Sequence, residues 1–286
     1  MASVTLNRFQ KRNPAKNYVY YDFYKPFKEN KLPEYRQFIQ SLVYDNPDID
    51  PYYIENLKQL EKKSRARLLD GDWEYDDDPT VLIEYEKIID LFTNNFDSLY
   101  GEKFITADIA RQGSDKITIG LWNGYVVGIY SFQKQYLNET GAFIENLRLK
   151  NNVPKSNVLC DEDGVGGGIV DFMGYKGFVN NSSALPNPET GEDENYFNLK
   201  SKCYFLLAKR INNAGMYVRS ISDDDKPLLF EDLEHVKQYN MDKDGKLRVL
   251  PKEKIKEIIG RSPDFSDLLM IREWFNLEKK LLYAVI

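Results

Sequence analysis

The chain has 286 residues, a net charge of −6, and 42% apolar against 29% charged residues, the balance of a folded globular protein rather than a disordered one. Its apolar runs fall short of the ~18–20 residues that a membrane-spanning helix needs, and no apolar leader opens it, so we expect a cytoplasmic protein without membrane association.

The single histidine, His235, excludes sites built from several histidines. Two distant cysteines, Cys160 and Cys203, predict buried core positions rather than a disulfide framework or a zinc site. Chemistry in this chain is therefore expected to depend on carboxylates, lysines or bound metal ions.

Residues 1–95 differ in composition from the rest and predict a mainly helical, tyrosine-rich segment. Of the 20 tyrosines, 11 lie in the first 100 residues. Apolar residues at helical spacing predict helices over 33–46 and 51–63, then a third that ends at Gly71, and a short helix is expected near residues 85–92. We place a domain boundary between residues 95 and 96.

Residues 96–286 alternate between strands and helices. Strands are expected over 102–110, 116–124 and 125–136, the last two forming a hairpin around Asn123-Gly124. The pattern then predicts, in turn, a helix over 138–152, a strand over 156–161, a helix from 166 that stops at Gly174 or Gly177, and helices over 197–213, 250–260 and 264–280. This order predicts an α/β domain with a mixed sheet, antiparallel hairpin strands followed by parallel strands, and helices on both faces.

Three acidic residues occupy the end of a predicted strand or the start of a packed helix. Asp108 lies in the first strand, Asp161 follows the buried run NVLC, and Asp267 lies in the first turn of the last helix. A mixed sheet brings the ends of neighbouring strands together, and like charges at that distance cannot all stay ionised without a cation. Oxygen ligands suit Mg²⁺ or Mn²⁺, and two such ions roughly 3.5–4 Å apart activate water and stabilise the leaving oxygen in phosphodiester cleavage.

Each acid also has a purely structural interpretation. Asp161 and Asp163 precede Gly164, where they can form an Asx turn. Asp264 suits the N-terminus of the last helix, so we assign Asp264 to capping and Asp267 to the metal. Asp163 and Asp264 remain further candidates for the metal site.

Two other features are open to more than one interpretation. The glycine-rich segment 161–172 either cradles a phosphate or forms a tight turn that lets a helix approach the sheet. Basic residues form two modest clusters, one on the long helix and one near the third acid, the latter with Lys252, Lys254, Lys256 and Arg261. Both clusters can be explained as solvated helix faces. The more specific hypothesis is a DNA-binding groove beside the acids, with Lys200 and Arg261 as the residues to test.

The segments that contain these residues resemble a known family. The runs ITADIARQGSDKITIGLW, NVLCDEDGVGGGIVDFM, FNLKSKCYFLL and RSPDFSDLLM resemble the C-terminal nuclease half of the large subunit of tailed-phage DNA-packaging terminases. The resemblance implies an RNase H-like fold and an endonuclease that cuts double-stranded viral DNA during packaging in the host cytoplasm. It implies two Mg²⁺ or Mn²⁺ ions held by Asp108, Asp161 and Asp267. The family's partners are an ATPase motor domain, a small terminase subunit and the portal protein.

The resemblance has a limit, because the P-loop and the acidic strand of the family's motor domain are missing from this sequence. The chain is therefore expected to be a C-terminal fragment without ATP hydrolysis. Two alternatives belong to other classes. An actin-like ATPase or sugar kinase also begins with a strand and an aspartate, but Ile109-Ala110-Arg111 lacks the Gly-Thr or Gly-Ser of its phosphate loop. A non-catalytic docking module would use the tyrosine-rich segment as its interaction surface.

Overall fold

The computed structural model describes residues 19–58, 65–66, 69–71, 78–94, 101–109, 115–164, 166–240 and 245–278. The chain divides into two compact units, Met1–Asp78 and Pro79–Ile286. In the first unit, a π-helical turn (Tyr20–Tyr24) continues into α1 (Lys25–Lys28), and a 3₁₀ turn (Val43–Asp45) precedes α2 (Pro51–Lys58). No helix in the described part of the chain is long and apolar enough to span a membrane.

The helix predicted over 33–46 is wrong, because these residues are extended or turned apart from the 3₁₀ turn. Two residues of the supposed apolar face, Tyr35 and Ile39, are 83% and 76% exposed, so that face is not buried. Phe38 instead packs its ring against Tyr24, 5.6 Å away. A helix of this length depends on packing of its apolar face, and helical spacing alone does not supply it. The prediction over 51–63 is confirmed for α2, while its second half, and most of the helix expected to end at Gly71, lie outside the described residues.

The second unit begins with α3 (Tyr85–Asp90), whose existence near 85–92 was predicted. Ile83, Ile88 and Leu91 are buried in the core of this unit, so residues 79–94 pack with it rather than with the segment to which the sequence pattern assigns them. The unit's other elements are β1 (Lys103–Asp108), β2 (Lys116–Asn123), β3 (Val126–Gln133), α4 (Leu137–Lys150), β4 (Val158–Asp161), α5 (Gly166–Met173), β5 (Lys176–Phe178), α6 (Leu199–Asn212), β6 (Tyr217–Ser220), α7 (Lys226–Glu234), α8 (Lys252–Ile259), α9 (Asp264–Ile271) and α10 (Trp274–Leu277).

Six strands form one mixed sheet in the order β5-β4-β1-β2-β3-β6. The hairpin strands β1, β2 and β3 are antiparallel neighbours, while β4 and β5 add in parallel on one side and β6 on the other. This arrangement confirms the predicted fold class. Gly174, with φ +65°, ends α5 and leads into β5, a strand that the sequence pattern did not predict.

Side chains of β1 alternate between two apolar cores, one on each face of the sheet. Ile105 and Ala107 face the core that includes residues of α4 and α5, while Phe104 belongs to the core that includes residues of α6 and α9. Because side chains alternate along a strand, Asp108 lies on the Phe104 face. The sheet therefore presents Asp108 to the side on which α6 and α9 pack.

The final helix, predicted as one element over 264–280, is two helices, so that prediction is wrong. The turn after α9 tightens, since the backbone N–H groups of Arg272 and Glu273 donate to carbonyls three residues back. Glu273, at this turn, is completely buried and accepts two hydrogen bonds from Arg210. Residues 279–286, which include the end of the predicted helix, lie outside the residues that the structure describes.

Candidate active site

The carboxyl ends of β1 and β4 place two of the predicted acids at the same edge of the sheet. The strands pair in parallel, with Ala107 opposite Cys160, so Asp108 and Asp161 follow on adjacent strands. Both line a cavity of about 580 Å³, together with Asp163, Asp115 and Asp264. The convergence of distant acids that the sequence analysis expected is thus present.

Helix α9 is docked on the hairpin by polar contacts at its first turns. The Thr118 hydroxyl donates to the carbonyl of Asp264 at 3.0 Å, and the backbone N–H of Lys116 donates to the Asp264 carboxylate at 2.8 Å. Farther along, the Thr106 hydroxyl donates to the carbonyl of Leu268 at 3.2 Å. These contacts fix the start of α9, and with it two carboxylates, beside the end of β1.

A half-buried lysine at the start of α8, with a side chain 32% exposed, lies among three of these acids. The ammonium nitrogen of Lys252 is 3.1 Å from Asp267 Oδ2, 3.6 Å from Asp264 Oδ1 and 3.8 Å from Asp108 Oδ2. The carboxylates raise the pKa of Lys252 against the opposing effect of burial, so it stays charged. The sequence pattern placed Lys252 in a basic cluster near the third acid but did not single it out, because no spacing relates it to Asp108.

Asp267 is 2% exposed and its two oxygens are shared among three partners. Oδ1 is 2.7 Å from the Lys200 ammonium and accepts a hydrogen bond from the Tyr204 hydroxyl at 2.7 Å, while Oδ2 faces Lys252. Burial alone would raise the pKa of Asp267, but Lys200 and Lys252 hold it well below its usual range. The ionised form of Asp267 is therefore favoured, and Lys200 is a contact of the acid cluster.

Asp108 has the opposite electrostatics. Burial, reinforced by the charges of Asp267, Asp161 and Asp264, raises the pKa of Asp108 well above its usual range, and Lys252 offsets this only in part. Its Oδ2 is buried without a hydrogen-bond partner. Burial also raises the pKa values of Asp161 and Asp264. A buried carboxylate oxygen with no partner is costly, and a cation at this position would remove the cost.

Asp161 and Asp163 are held by the side chain of Asn180. Its amide nitrogen donates to Asp161 Oδ1 at 3.0 Å and to Asp163 Oδ2 at 2.8 Å. The backbone N–H of Asp163 also donates to Asp161 Oδ1 at 3.0 Å, so the Asx turn considered from the sequence is formed. Asp161 also lines the cavity, so the turn is compatible with a role in a metal site, which stays a prediction.

The assignment of Asp264 to helix capping is wrong, because Asp232 of α7 does that work. The Asp232 carboxylate accepts hydrogen bonds from the backbone N–H groups of Phe265 and Ser266 at 3.0 and 3.3 Å, and from Arg261 at 2.6 Å. Asp264 contributes no capping hydrogen bond and lines the cavity instead. Arg261 also donates to Glu231, so its guanidinium is directed to α7; a DNA contact by Arg261 stays a prediction.

The glycine-rich segment brings α5 very close to the end of β4. A Cβ on Gly166 would lie 1.8 Å from the carbonyl oxygen of Asp161, and Gly164 has φ +84°. Both features require glycine for the tight turn that the sequence analysis considered. Cys160 and Cys203 are buried and unpaired, as expected.

As the side chains stand, no group of three or more carboxylate, histidine or cysteine side chains in the described ranges is arranged to hold a metal ion. In the same cluster, the ammonium of Lys252 lies within 4 Å of Asp108, Asp264 and Asp267. The positive charge that this cluster needs is thus supplied by the protein in this conformation.

No protein-family model and no curated protein matches the sequence. Among solved structures, the nuclease domain of the large terminase subunit gp2 of bacterial virus Sf6 is similar, with a TM-score of 0.57, 19% identity, and coverage of 70% of this chain and 99% of that one. The chain has the fold of a terminase nuclease domain. A mutant of the Sf6 domain with manganese and beta-thujaplicinol matches with a TM-score of 0.56 and 20% identity over 70% of this chain and 99% of that one. The RNase H-like fold expected from the resemblance is confirmed.

Proposed function

We propose that this chain is the nuclease part of a phage DNA-packaging machine, a metal-dependent endonuclease that cuts double-stranded viral DNA in the host cytoplasm. The observation that carries the proposal is the group of acids at the carboxyl ends of β1 and β4 and the start of α9. Asp108, Asp161 and Asp264 line one cavity, Asp267 lies against Lys252, and Asp108 Oδ2 has no hydrogen-bond partner. A cation site accounts for three carboxylates that lie around one half-buried lysine and for Asp161 in the same cavity.

The residues present fit divalent cations of the Mg²⁺ or Mn²⁺ type. The donors are carboxylate oxygens alone, which those ions prefer. Solved Sf6 domains of the same fold contain manganese or calcium, which supports the same class of ion here. Asp108, Asp161 and Asp267 would hold the ions, and Asp163 and Asp264 are further candidate ligands. Binding requires Lys252 to withdraw from the cluster, since its ammonium lies where positive charge is needed.

Several residues prepare the site for this exchange. Lys200 and Tyr204 hold Asp267 in one orientation, and Asn180 does the same for Asp161. Burial and the neighbouring acids raise the pKa of Asp108, and a bound cation would favour its ionised form. Two ions held by Asp108, Asp161 and Asp267 would supply Lewis-acid chemistry for phosphodiester cleavage.

The proposed substrate is double-stranded DNA, and the proposed partners are the packaging motor's ATPase domain, the small terminase subunit and the portal protein. The terminase fold and the resemblance of the sequence motifs support these partners. Residues 101–286 carry 25 basic and 27 acidic residues, a net charge of −2, so DNA binding by the chain alone is expected to be weak and sensitive to salt.

The test is plasmid cleavage by the full chain in Mn²⁺ or Mg²⁺, compared with chelator. Wild type should nick the plasmid and gain thermal stability with Mn²⁺, and Asp108→Ala should lose both. Asp171→Asn is the matched control, because Asp171 lies on α5, is exposed and does not line the cavity. Cleavage that survives Asp108→Ala contradicts the proposed site. Wild type that shows neither cleavage nor stabilisation supports the docking module instead.

A further inference from the structure

One cation on the wall of the cavity is not used by the acid cluster. Lys200 and Lys252 both line the cavity and both pair with Asp267. Arg248 lines the same cavity, yet its guanidinium has no hydrogen bond or ion pair with any residue in the described ranges. A free guanidinium beside a group of acids must serve something other than charge balance within the protein.

The backbone around Arg248 is held from two sides. On one side, the N–H of Leu247 donates to the carbonyl of Asn195 at 2.8 Å, and the N–H of Phe197 donates back to the carbonyl of Leu247 at 2.9 Å. On the other, the N–H of Tyr239 donates to the carbonyl of Arg248 at 2.7 Å. The extended segment that carries Arg248 is therefore held by backbone hydrogen bonds to residues 195–197 on one side and to Tyr239 on the other.

Aromatic rings also position the guanidinium itself. It lies over the ring of Phe197 at 4.1 Å and over the ring of Tyr239 at 5.7 Å. Phe197 is 47% exposed although it begins the segment that leads into α6. An arginine ordered in this way loses little freedom on binding, and its planar fork matches the two oxygens of a phosphate.

We propose that Arg248, ordered on Phe197 and Tyr239, is a positioning residue that binds a backbone phosphate of the DNA strand lying in the cavity. This inference rests on the proposed nuclease function and names how that site holds its substrate. The acids repel the phosphates of a strand brought to them, so the site needs a cation that they do not neutralise. In the described lining of the cavity, Arg248 is that cation. The contact is to the backbone and therefore carries no sequence specificity.

The experiment compares Arg248→Ala with Arg219→Ala in the full chain. Arg219 is an exposed arginine on β6 that does not line the cavity, so its variant removes the same charge elsewhere. We expect Arg248→Ala to raise the KM for duplex DNA roughly tenfold, as the loss of one charge-assisted contact should, with kcat changed less than about threefold. Arg248→Lys should recover part of the KM. Thermal stabilisation by Mn²⁺ should stay at the wild-type value, since Arg248 is not a proposed ligand.

Two further measurements separate a phosphate contact from a general effect of charge. In the non-cleaving Asp108→Asn background, Arg248→Ala should weaken duplex binding and lower the magnitude of the slope of log Kd against log salt by about 0.9, the contribution of one phosphate contact. Phe197→Ala, which leaves the charge but removes the ring beneath it, should weaken binding less.

The outcomes are distinguishable. Equal KM and Kd for Arg248→Ala and Arg219→Ala overturn the inference while leaving the nuclease intact. Loss of binding in Arg248→Ala alone, with a wild type that binds duplex DNA without cleaving it, supports the phosphate contact and contradicts the proposed function. A wild type that neither binds nor cleaves overturns both.

Discussion

Two buried carboxylates on this domain, Asp232 and Asp108, show how similar groups come to have different roles. Asp232 is fully buried, pairs with Arg261 and accepts two backbone N–H groups, so its oxygens are satisfied. Asp108 is 5% exposed, its nearest cation is 3.8 Å away, and one oxygen has no hydrogen-bond partner. The first arrangement fastens α7 to the start of α9. The second leaves one carboxylate oxygen without a hydrogen bond, which is the reason why we propose a cation ligand role for Asp108.

Cleavage activity gives the largest expected difference between Asp108 and Asp232. Asp108→Asn keeps the shape of the side chain and removes its charge, so we expect the cleavage rate to fall by roughly 10³-fold or more. The same variant should raise the melting temperature of the metal-free protein, because it removes a carboxylate that burial disfavours. Plasmid cleavage and calorimetry of the same preparation check both. A fall in both quantities would place Asp108 with Asp232 as a structural residue.

The next largest effect concerns stability at Asp232. Asp232→Asn should cost about 3 kcal/mol of unfolding free energy, because it leaves the Arg261 guanidinium without its buried carboxylate. Urea unfolding measures the loss. Glu231→Gln is the matched control, since Glu231 contacts the same arginine but its side chain is 43% exposed, and it should cost less than ~1 kcal/mol. Equal losses in the two variants would contradict the distinction.

A smaller effect, on Mn²⁺ affinity, is expected from substitution of Lys252, whose ammonium lies among the acids. Lys252→Ala removes the competing ammonium, so Mn²⁺ should bind about tenfold more tightly, while the metal-free protein should melt at a lower temperature. Isothermal titration and thermal shift measure the two quantities. Lys256→Ala is the control, because Lys256 pairs with Asp115 and its side chain is 44% exposed. Weaker Mn²⁺ binding in Lys252→Ala would show that the lysine orients the acids instead of competing with the ion.

The smallest expected effect is on the pH dependence of stability. Asp108, whose folded-state pKa is raised, binds a proton more readily in the folded than in the unfolded chain. Its contribution to stability is therefore complete below the ordinary aspartate pKa near ~4 and is lost as pH rises through the raised value. The melting temperature of metal-free wild type should fall over that window relative to Asp108→Asn, and Mn²⁺ should remove the difference. Parallel pH profiles for the two proteins would contradict the raised pKa.

Local patterns were enough to predict much of this architecture. Alternating apolar residues located β1 to β3, and Asn123-Gly124 located their hairpin turn. The pattern failed over 33–46, where the apolar spacing was helical but Tyr35 and Ile39 stayed exposed. It also failed at Arg272 and Glu273, where a turn separates α9 from α10. In both places, local spacing did not show which side chains the packed fold buries.

The sequence by itself determined that the chemistry would rest on carboxylates and placed Asp108 and Asp161 at strand ends, because strand periodicity and turn residues are local properties. Only the tertiary structure decided that Asp232 caps α9, that Lys252 lies among the acids and that Arg248 stays unpaired in the described cavity wall. Each of these depends on which side chains meet through space after the sheet and helices have packed. Contacts of that kind leave no periodic signal along the chain.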